Sequence, residues 1–175
     1  MQDKIKKIKL LCFDCDGVLS DGRIIYIQTA DNQVFEQKNF SAKDGMGLMM
    51  ANRAGLISAV ITGRTSQVLA QRCKDLRIEH LYQNIDNKAK KMEELLEELQ
   101  LSWENVAYMG DDWNDVPIFK RAGFAGAPHD GDDAIKPFVD YVTKKKGGKG
   151  AVREFIDLIL KEQGLYEKSV EKFNF

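Results

Sequence analysis

Short apolar runs alternate along this chain with segments whose apolar residues recur every three to four positions. The run Ile8-Lys9-Leu10-Leu11-Cys12-Phe13 is too apolar for a strand with one wet face, so residues 8–14 predict a strand buried in a sheet. Two β-prone runs follow, Arg23–Gln28 and Val34–Asn39, with the polar stretch Thr29-Ala30-Asp31-Asn32-Gln33 between them. That spacing closes a hairpin, a flap set just after the first strand. Met46–Arg53 predicts a helix stopped by Gly55, and Leu56–Ile61 a second buried strand. A helix over about 65–75, a short strand at His80–Tyr82, a helix from Asp86 to Gln100 and a strand over Asn105–Met109 continue the alternation. The second of these helices sets Ala89, Met92, Leu95, Leu96 and Leu99 on one face. Short elements fill 116–142, and Ala151–Lys161 makes a final amphipathic helix behind a glycine-rich hinge. Strands that alternate with helices predict an α/β fold around a central, mostly parallel sheet.

Composition narrows this picture. At 175 residues the chain fits a single domain over 1–175, and 43% hydrophobic with 30% charged residues is the balance of a folded globular chain. No repeat or linker marks a second domain. No apolar stretch approaches the ~18 residues of a spanning helix, and Met1–Ile8 lacks the apolar core of a secretion signal. The expected location is therefore cytoplasmic, with no membrane partner. Cys12, Cys15 and Cys73 are too few and too irregular for a disulfide framework or a zinc site. With 26 basic against 27 acidic side chains, the overall field gives no reason to expect nucleic acid.

Polar residues collect where the predicted strands end. Asp14 and Asp16 follow the first strand, Thr62 and Arg64 the second, Lys88 opens a helix, and Asp111, Asp112 and Asp115 follow the strand at 105–109. In an open α/β sheet that edge is where ligands bind. Asp14, Asp16 and Asp111 are hard oxygen donors suited to Mg2+. A helix-loop-helix calcium site is excluded, because such a loop needs an acid at Val18 and a bidentate Glu at Ile25. A carboxylate beside a cation can attack a phosphoryl group, and a second one two residues on can protonate the leaving oxygen and later activate water. Lys88, Lys90 and Lys91 crowd the positive end of their helix, against the macrodipole. A bound anion reverses that penalty, and Lys88 is the one read as a phosphate ligand; Lys90 and Lys91 are read as a solvated face. Lys144–Lys149 is a basic, glycine-containing loop without nucleotide P-loop spacing.

Asp14-x-Asp16-Gly17-Val18-Leu19, Thr62 behind a hydrophobic strand, Lys88 and Gly110-Asp111-Asp112-x-x-Asp115 resemble, in order and spacing, the four motifs of haloacid dehalogenase superfamily phosphatases, and the flap resembles their minimal-cap class. The further stretches Ser20-Asp21-Gly22, Lys43-Asp44-Gly45-x-Gly47, Ile61-Thr62-Gly63-Arg64 and Gly147–Glu154 resemble the branch that acts on 3-deoxy-D-manno-octulosonate 8-phosphate in lipopolysaccharide inner-core synthesis. The resemblance implies a Rossmann-like three-layer sandwich with a hairpin flap over about 22–40 and a tail over about 164–175. It implies catalytic Asp14, Asp16, Thr62 and Lys88, with Asp14 as nucleophile and Asp16 as acid/base. Mg2+ would be held by Asp14, the Asp16 carbonyl and Asp111. It also implies a substrate pocket of Asp16, Ser41, Ala42, Lys43, Asp44, Gly45, Arg64, Arg72 and Lys88, and a homotetramer in which flap and tail cover a neighbour's site. Lys149 and Arg153 would come from the tail. Lys43 and Met49 stand where relatives carry arginine or another basic residue. Rival readings are a phosphatase for a nine-carbon sialic-type acid 9-phosphate, a phospho-accepting receiver domain, and a non-catalytic phosphate-binding homologue.

Overall fold

The computed structural model describes residues 2–171. In chain order the elements are helix α1 (Gln2–Ile5), strand β1 (Leu10–Phe13), strands β2 (Ile25–Gln28) and β3 (Val34–Gln37), helix α2 (Ala42–Ala54), β4 (Ile57–Ile61), α3 (Gln67–Asp75), β5 (His80–Tyr82), α4 (Lys88–Leu99), β6 (Val106–Met109), α5 (Val116–Phe119), β7 (Phe124–Ala127), β8 (Tyr141–Val142), α6 (Ala151–Glu162) and α7 (Tyr166–Val170). One sheet runs β5-β4-β1-β6-β7-β8, and every neighbouring pair in it is parallel. β1 lies at its centre, with Leu10 opposite both Ile57 and Val106.

The apolar character of β1 follows from this position. Leu11 and Phe13 enter one core, shared with α2 and α6 through Leu48, Val152 and Phe155. Leu10 and Cys12 enter the other, with Met92, Leu95 and Ile118 of α4 and α5. Successive side chains of a strand point to opposite faces, so a strand covered by helices on both sides has no polar face to show. The chain builds outward from β1 to β4 and β5, then crosses back through α4 to β6 on the other side of β1. The carboxyl ends of β1 and β6 therefore flank a topological switch point, where the crevice of such a sheet opens.

Two helices begin where polar residues hide their start. α2 starts at Ala42, four positions before the expected Met46, because Ser41 Oγ accepts hydrogen bonds from the Lys43 and Asp44 N–H groups. It stops at Gly55, whose φ of 91° is open to glycine at little cost. α4 begins at Lys88 rather than Asp86, with Asn87 accepting from the Lys90 N–H. The expectation that Ala151–Lys161 is the last helix is corrected: α7 follows α6 and packs back on α2. Of the expected tail over 164–175, residues 172–175 lie outside the described residues.

β2 and β3 form an antiparallel ribbon apart from the main sheet. Both strands are shorter than the runs that predict them: Arg23, Ile24, Lys38 and Asn39 fall outside the ladder. A two-stranded ribbon is marginal in water without further packing. Here its base is fastened by the bridge between Ser20 and Phe40 and by a cluster of ion pairs at Asp16.

Candidate active site

Asp14 leaves β1 with its N–H still in the ladder, donating to the Met109 carbonyl at 3.0 Å. The chain then enters a wide helical turn, Cys15–Leu19, broken by extended Asp16 and by Gly17 at φ 82°. Glycine is required there twice over. A Cβ at Gly17 would lie 1.9 Å from Asp111 Oδ2, so a side chain would push the two strand ends apart.

The buried half of the site is a knot of three carboxylates around one ammonium. Asp14 Oδ1 accepts the Cys15 N–H at 2.6 Å, and Lys88 Nζ lies 2.8 Å from Asp14 Oδ2 and 2.7 Å from Asp115 Oδ1. Lys88 is only 3% exposed. Burial by itself lowers its pKa, but the charges of Asp14 and Asp115 outweigh that effect and keep the ammonium protonated. Asp115 has no lone pair left. Its Oδ1 accepts from Lys88 and the Tyr108 hydroxyl, its Oδ2 from the Asp111 and Asp112 N–H groups. Asp115 thus fixes the loop that carries Asp111. The same packing requires Gly110, where a Cβ would come 2.3 Å from the Asp115 carboxyl.

Asp14, Asp111 and Asp115 bring carboxylate oxygens within 4.8 Å of one another. Burial first, then the charge of Asp115, pushes Asp14 up to about 6; burial first, then the charge of Asp14, pushes Asp111 up to about 8. Three acids facing one lysine leave an excess of negative charge that a hard divalent cation offsets, and the all-oxygen donor set suits Mg2+. With Asp115 saturated, Asp14 and Asp111 are the side chains able to hold it.

The outer half surrounds Asp16. Its Oδ1 accepts from Lys38 Nζ at 2.5 Å and from Ser20 Oγ at 3.3 Å, while Arg64 Nε stands 3.5 Å from Oδ2. Glu36 on β3 joins Lys38 at 3.2 Å and Arg64 Nη2 at 3.1 Å. Thr62 is buried at the end of β4, and its Oγ1 accepts the Arg64 N–H at 3.4 Å. Strand ends of β1, β4 and β6 and the start of α4 thus gather Asp14, Asp16, Thr62, Lys88, Asp111 and Arg64 into one region.

The other expected pocket residues group elsewhere. Ser41, Asp44, Gly45 and Arg72 contact one another: Arg72 Nη2 donates to the Ser41 carbonyl at 3.2 Å and crowds Gly45. Asp44 is buried, its carboxylate accepting the Gly150 and Arg153 N–H groups at 3.1 and 2.8 Å. It caps the start of α6. Ala42 and Lys43 are exposed on the first turn of α2. Lys43, Lys149 and Arg153 line a separate groove of about 540 Å³ along α6, which none of Asp14, Asp16, Thr62 and Lys88 lines. The Lys144–Lys149 loop, read from the sequence only as basic and glycine-containing, packs back on the turn after β1. Gly147 and Gly148 seat it against the Cys15–Leu19 turn, where a Cβ on Gly147 would meet the Gly17 carbonyl at 1.7 Å.

Sequence reasoning misses Lys38, Glu36 and Tyr108, and it names Asp115 without a task. The i, i+4 spacing of Asp111 and Asp115 within one motif is a signal for the latter. Lys38 has none, since a lysine beyond a hairpin strand reads as solvated.

A sequence profile of the family described as haloacid dehalogenase-like hydrolase matches residues 70–156. The chain is 43% identical over 148 residues to the 3-deoxy-D-manno-octulosonate 8-phosphate phosphatase KdsC of Escherichia coli K12, covering 85% of this chain and 77% of that protein. It superposes on the crystal structure of the Moraxella catarrhalis phosphatase of the same name, in complex with magnesium ion, phosphate ion and KDO, with a TM-score of 0.91. Identity there is 38%, over 99% of this chain and 97% of that one. The Yersinia pestis phosphatase structure gives a TM-score of 0.89 at 40% identity, over 95% and 88%.

Proposed function

The chain belongs to the haloacid dehalogenase-like hydrolases and is a phosphatase, and from that membership we propose that it converts 3-deoxy-D-manno-octulosonate 8-phosphate to the free sugar acid and phosphate through an aspartyl-phosphate. The observation that carries this reading is the buried contact of Asp14 with Lys88 beside Asp111, at the ends of two adjacent strands.

Asp14 is the nucleophile in this reading. Its Oδ1 is pinned by the Cys15 N–H and its charge is held by Lys88, so the carboxylate is oriented before substrate arrives. Lys88 and Thr62 hold the phosphoryl oxygens and gather the charge that spreads over them in the transition state. Asp16 gives its proton to the leaving sugar oxygen, then takes one from the water that hydrolyses the acyl phosphate. When bound by Asp14, Asp111 and the Asp16 carbonyl, Mg2+ supplies neutralisation of the phosphoryl charge. Arg64, beside Asp16, faces the sugar. The expected test is phosphate release from a panel of sugar-acid phosphates: the eight-carbon 8-phosphate should turn over fastest, and preference for a nine-carbon 9-phosphate would overturn the specificity.

A cytoplasmic homotetramer completes the reading, with Ser41, Ala42, Lys43, Asp44, Gly45 and Arg72 serving the sugar pocket within the assembly. Ile24, Tyr26, Ile27, Val34 and Phe35 are all exposed on the hairpin, Tyr26 by 62%. Apolar side chains exposed on both faces of a two-stranded ribbon favour contact with another copy. Sedimentation at micromolar concentration should give four times the 19.9 kDa chain mass; a monomer would exclude the assembly. Among the described residues no helix is long and apolar enough to cross a membrane.

A further inference from the structure

Lys38 lies one residue beyond β3, yet its side chain is 1% exposed. Removing an ammonium from water costs several kcal/mol unless it is paired, and a lysine on a hairpin ordinarily sends its charge to solvent. Here the ammonium is turned inward, 2.5 Å from Asp16 Oδ1 and 3.2 Å from Glu36 Oε1. Ser20 Oγ donates to the same Asp16 oxygen. The other oxygen, Oδ2, is buried and accepts no hydrogen bond. The two oxygens of Asp16 are therefore unlike: Oδ1 is anchored by two hydrogen-bond donors, while Oδ2 faces the Arg64 Nε at 3.5 Å without a hydrogen bond.

We propose that Lys38 is a positioning residue that anchors Asp16 through Oδ1 and so holds its carboxyl group in place for the leaving oxygen. This rests on the reading of Asp14 as nucleophile and Asp16 as acid/base. In the first step an Asp14 oxygen bonds to phosphorus while the bond from phosphorus to the sugar oxygen breaks. The bonding pair stays with the sugar oxygen, and the proton that Asp16 holds in this reading moves to it. In the second step a water oxygen bonds to phosphorus, its proton returns to Asp16, and the bond from Asp14 to phosphorus breaks with its pair staying on the Asp14 oxygen. Lys38 itself neither gives nor takes a proton. Glu36 holds the ammonium from its other side, and Arg64 holds Glu36, so one chain of ion pairs ties the base of the hairpin to Asp16.

The leaving group separates positioning from mere support. A sugar alkoxide departs only with a proton, whereas 4-nitrophenolate departs without one. General acid catalysis contributes about 10²–10⁴ in rate. Lys38→Met should therefore lower kcat/KM for 3-deoxy-D-manno-octulosonate 8-phosphate by about 30-fold or more, and for 4-nitrophenyl phosphate by about a tenth of that factor. Lys38→Arg, which keeps the charge and serves if the Met variant does not fold, should show the same ordering with smaller losses. Equal losses on the two esters, or none on either, would overturn the proposal. A wild-type enzyme inert on both esters, or full activity in Asp14→Asn, would instead strike the reading beneath it.

Discussion

Asp14→Asn is expected to lose at least about 10⁴-fold in phosphate release, the scale seen when a covalent nucleophile is removed from an enzyme. The amide has nearly the shape of the carboxylate and still accepts the Cys15 N–H, but it is a far weaker nucleophile. The substitution should not unfold the protein. Lys88 keeps Asp115 as its partner, and the cluster loses one of three mutually repelling acids. Circular dichroism should therefore match the wild type while turnover vanishes. Acid quenching during turnover should trap a phosphoprotein with the wild type and none with the variant. Undiminished hydrolysis would remove Asp14 from the nucleophile role.

Removing the cation should abolish activity and expose a pH-dependent loss of stability. Two like charges about 4–5 Å apart repel by roughly 3–4 kcal/mol at an effective dielectric near 20, a large part of the 5–15 kcal/mol that holds a typical domain folded. The metal-free protein avoids this by keeping acids protonated. In the unfolded chain both Asp14 and Asp111 ionise near 3.8; in the folded chain Asp14 does so at about 6 and Asp111 at about 8. Between these limits the native state binds more protons than the unfolded one. Stability contributed by these groups is thus complete below 3.8 and is lost as pH rises through about 6 and then about 8. With chelator present, the Tm should fall by about 5 °C or more across that window, and millimolar Mg2+ should restore it and flatten the profile. Asp111→Asn should remove the loss near pH 8 and leave the one near pH 6 in the metal-free protein, while activity is lost. A Tm indifferent to pH in chelator would show that burial and mutual repulsion do not raise these two acids as the geometry requires.

Both results concern groups that are legible in the chain itself. The apolar run ahead of Asp14 can only be a strand covered on both faces, and the acids, threonine and lysine at its edge follow from where α/β sheets place ligands. Lys88 is also legible, as a positive charge badly placed for its helix; its burial between Asp14 and Asp115 gives the compensation. Local signals fail where a residue's partner lies far along the chain. Asp44 reads, from the resemblance, as a pocket residue, yet it caps a helix more than a hundred positions away. The sequence pattern sets the start of α2 too late because Ala42-Lys43-Asp44-Gly45 shows no apolar period of its own.

Sequence by itself determined the parallel sheet, the order of its strand-end chemistry and the family, because hydrophobic period and motif spacing are local properties of the chain. Tertiary structure alone decided how the acids divide their work. Asp115 is spent on Lys88, Tyr108 and two backbone N–H groups, Asp14 and Asp111 are left for a cation, and Lys38 folds in from the hairpin to anchor one oxygen of Asp16. A carboxylate's role is set by which of its lone pairs are already taken, and that is known only when residues distant in sequence have been packed against it.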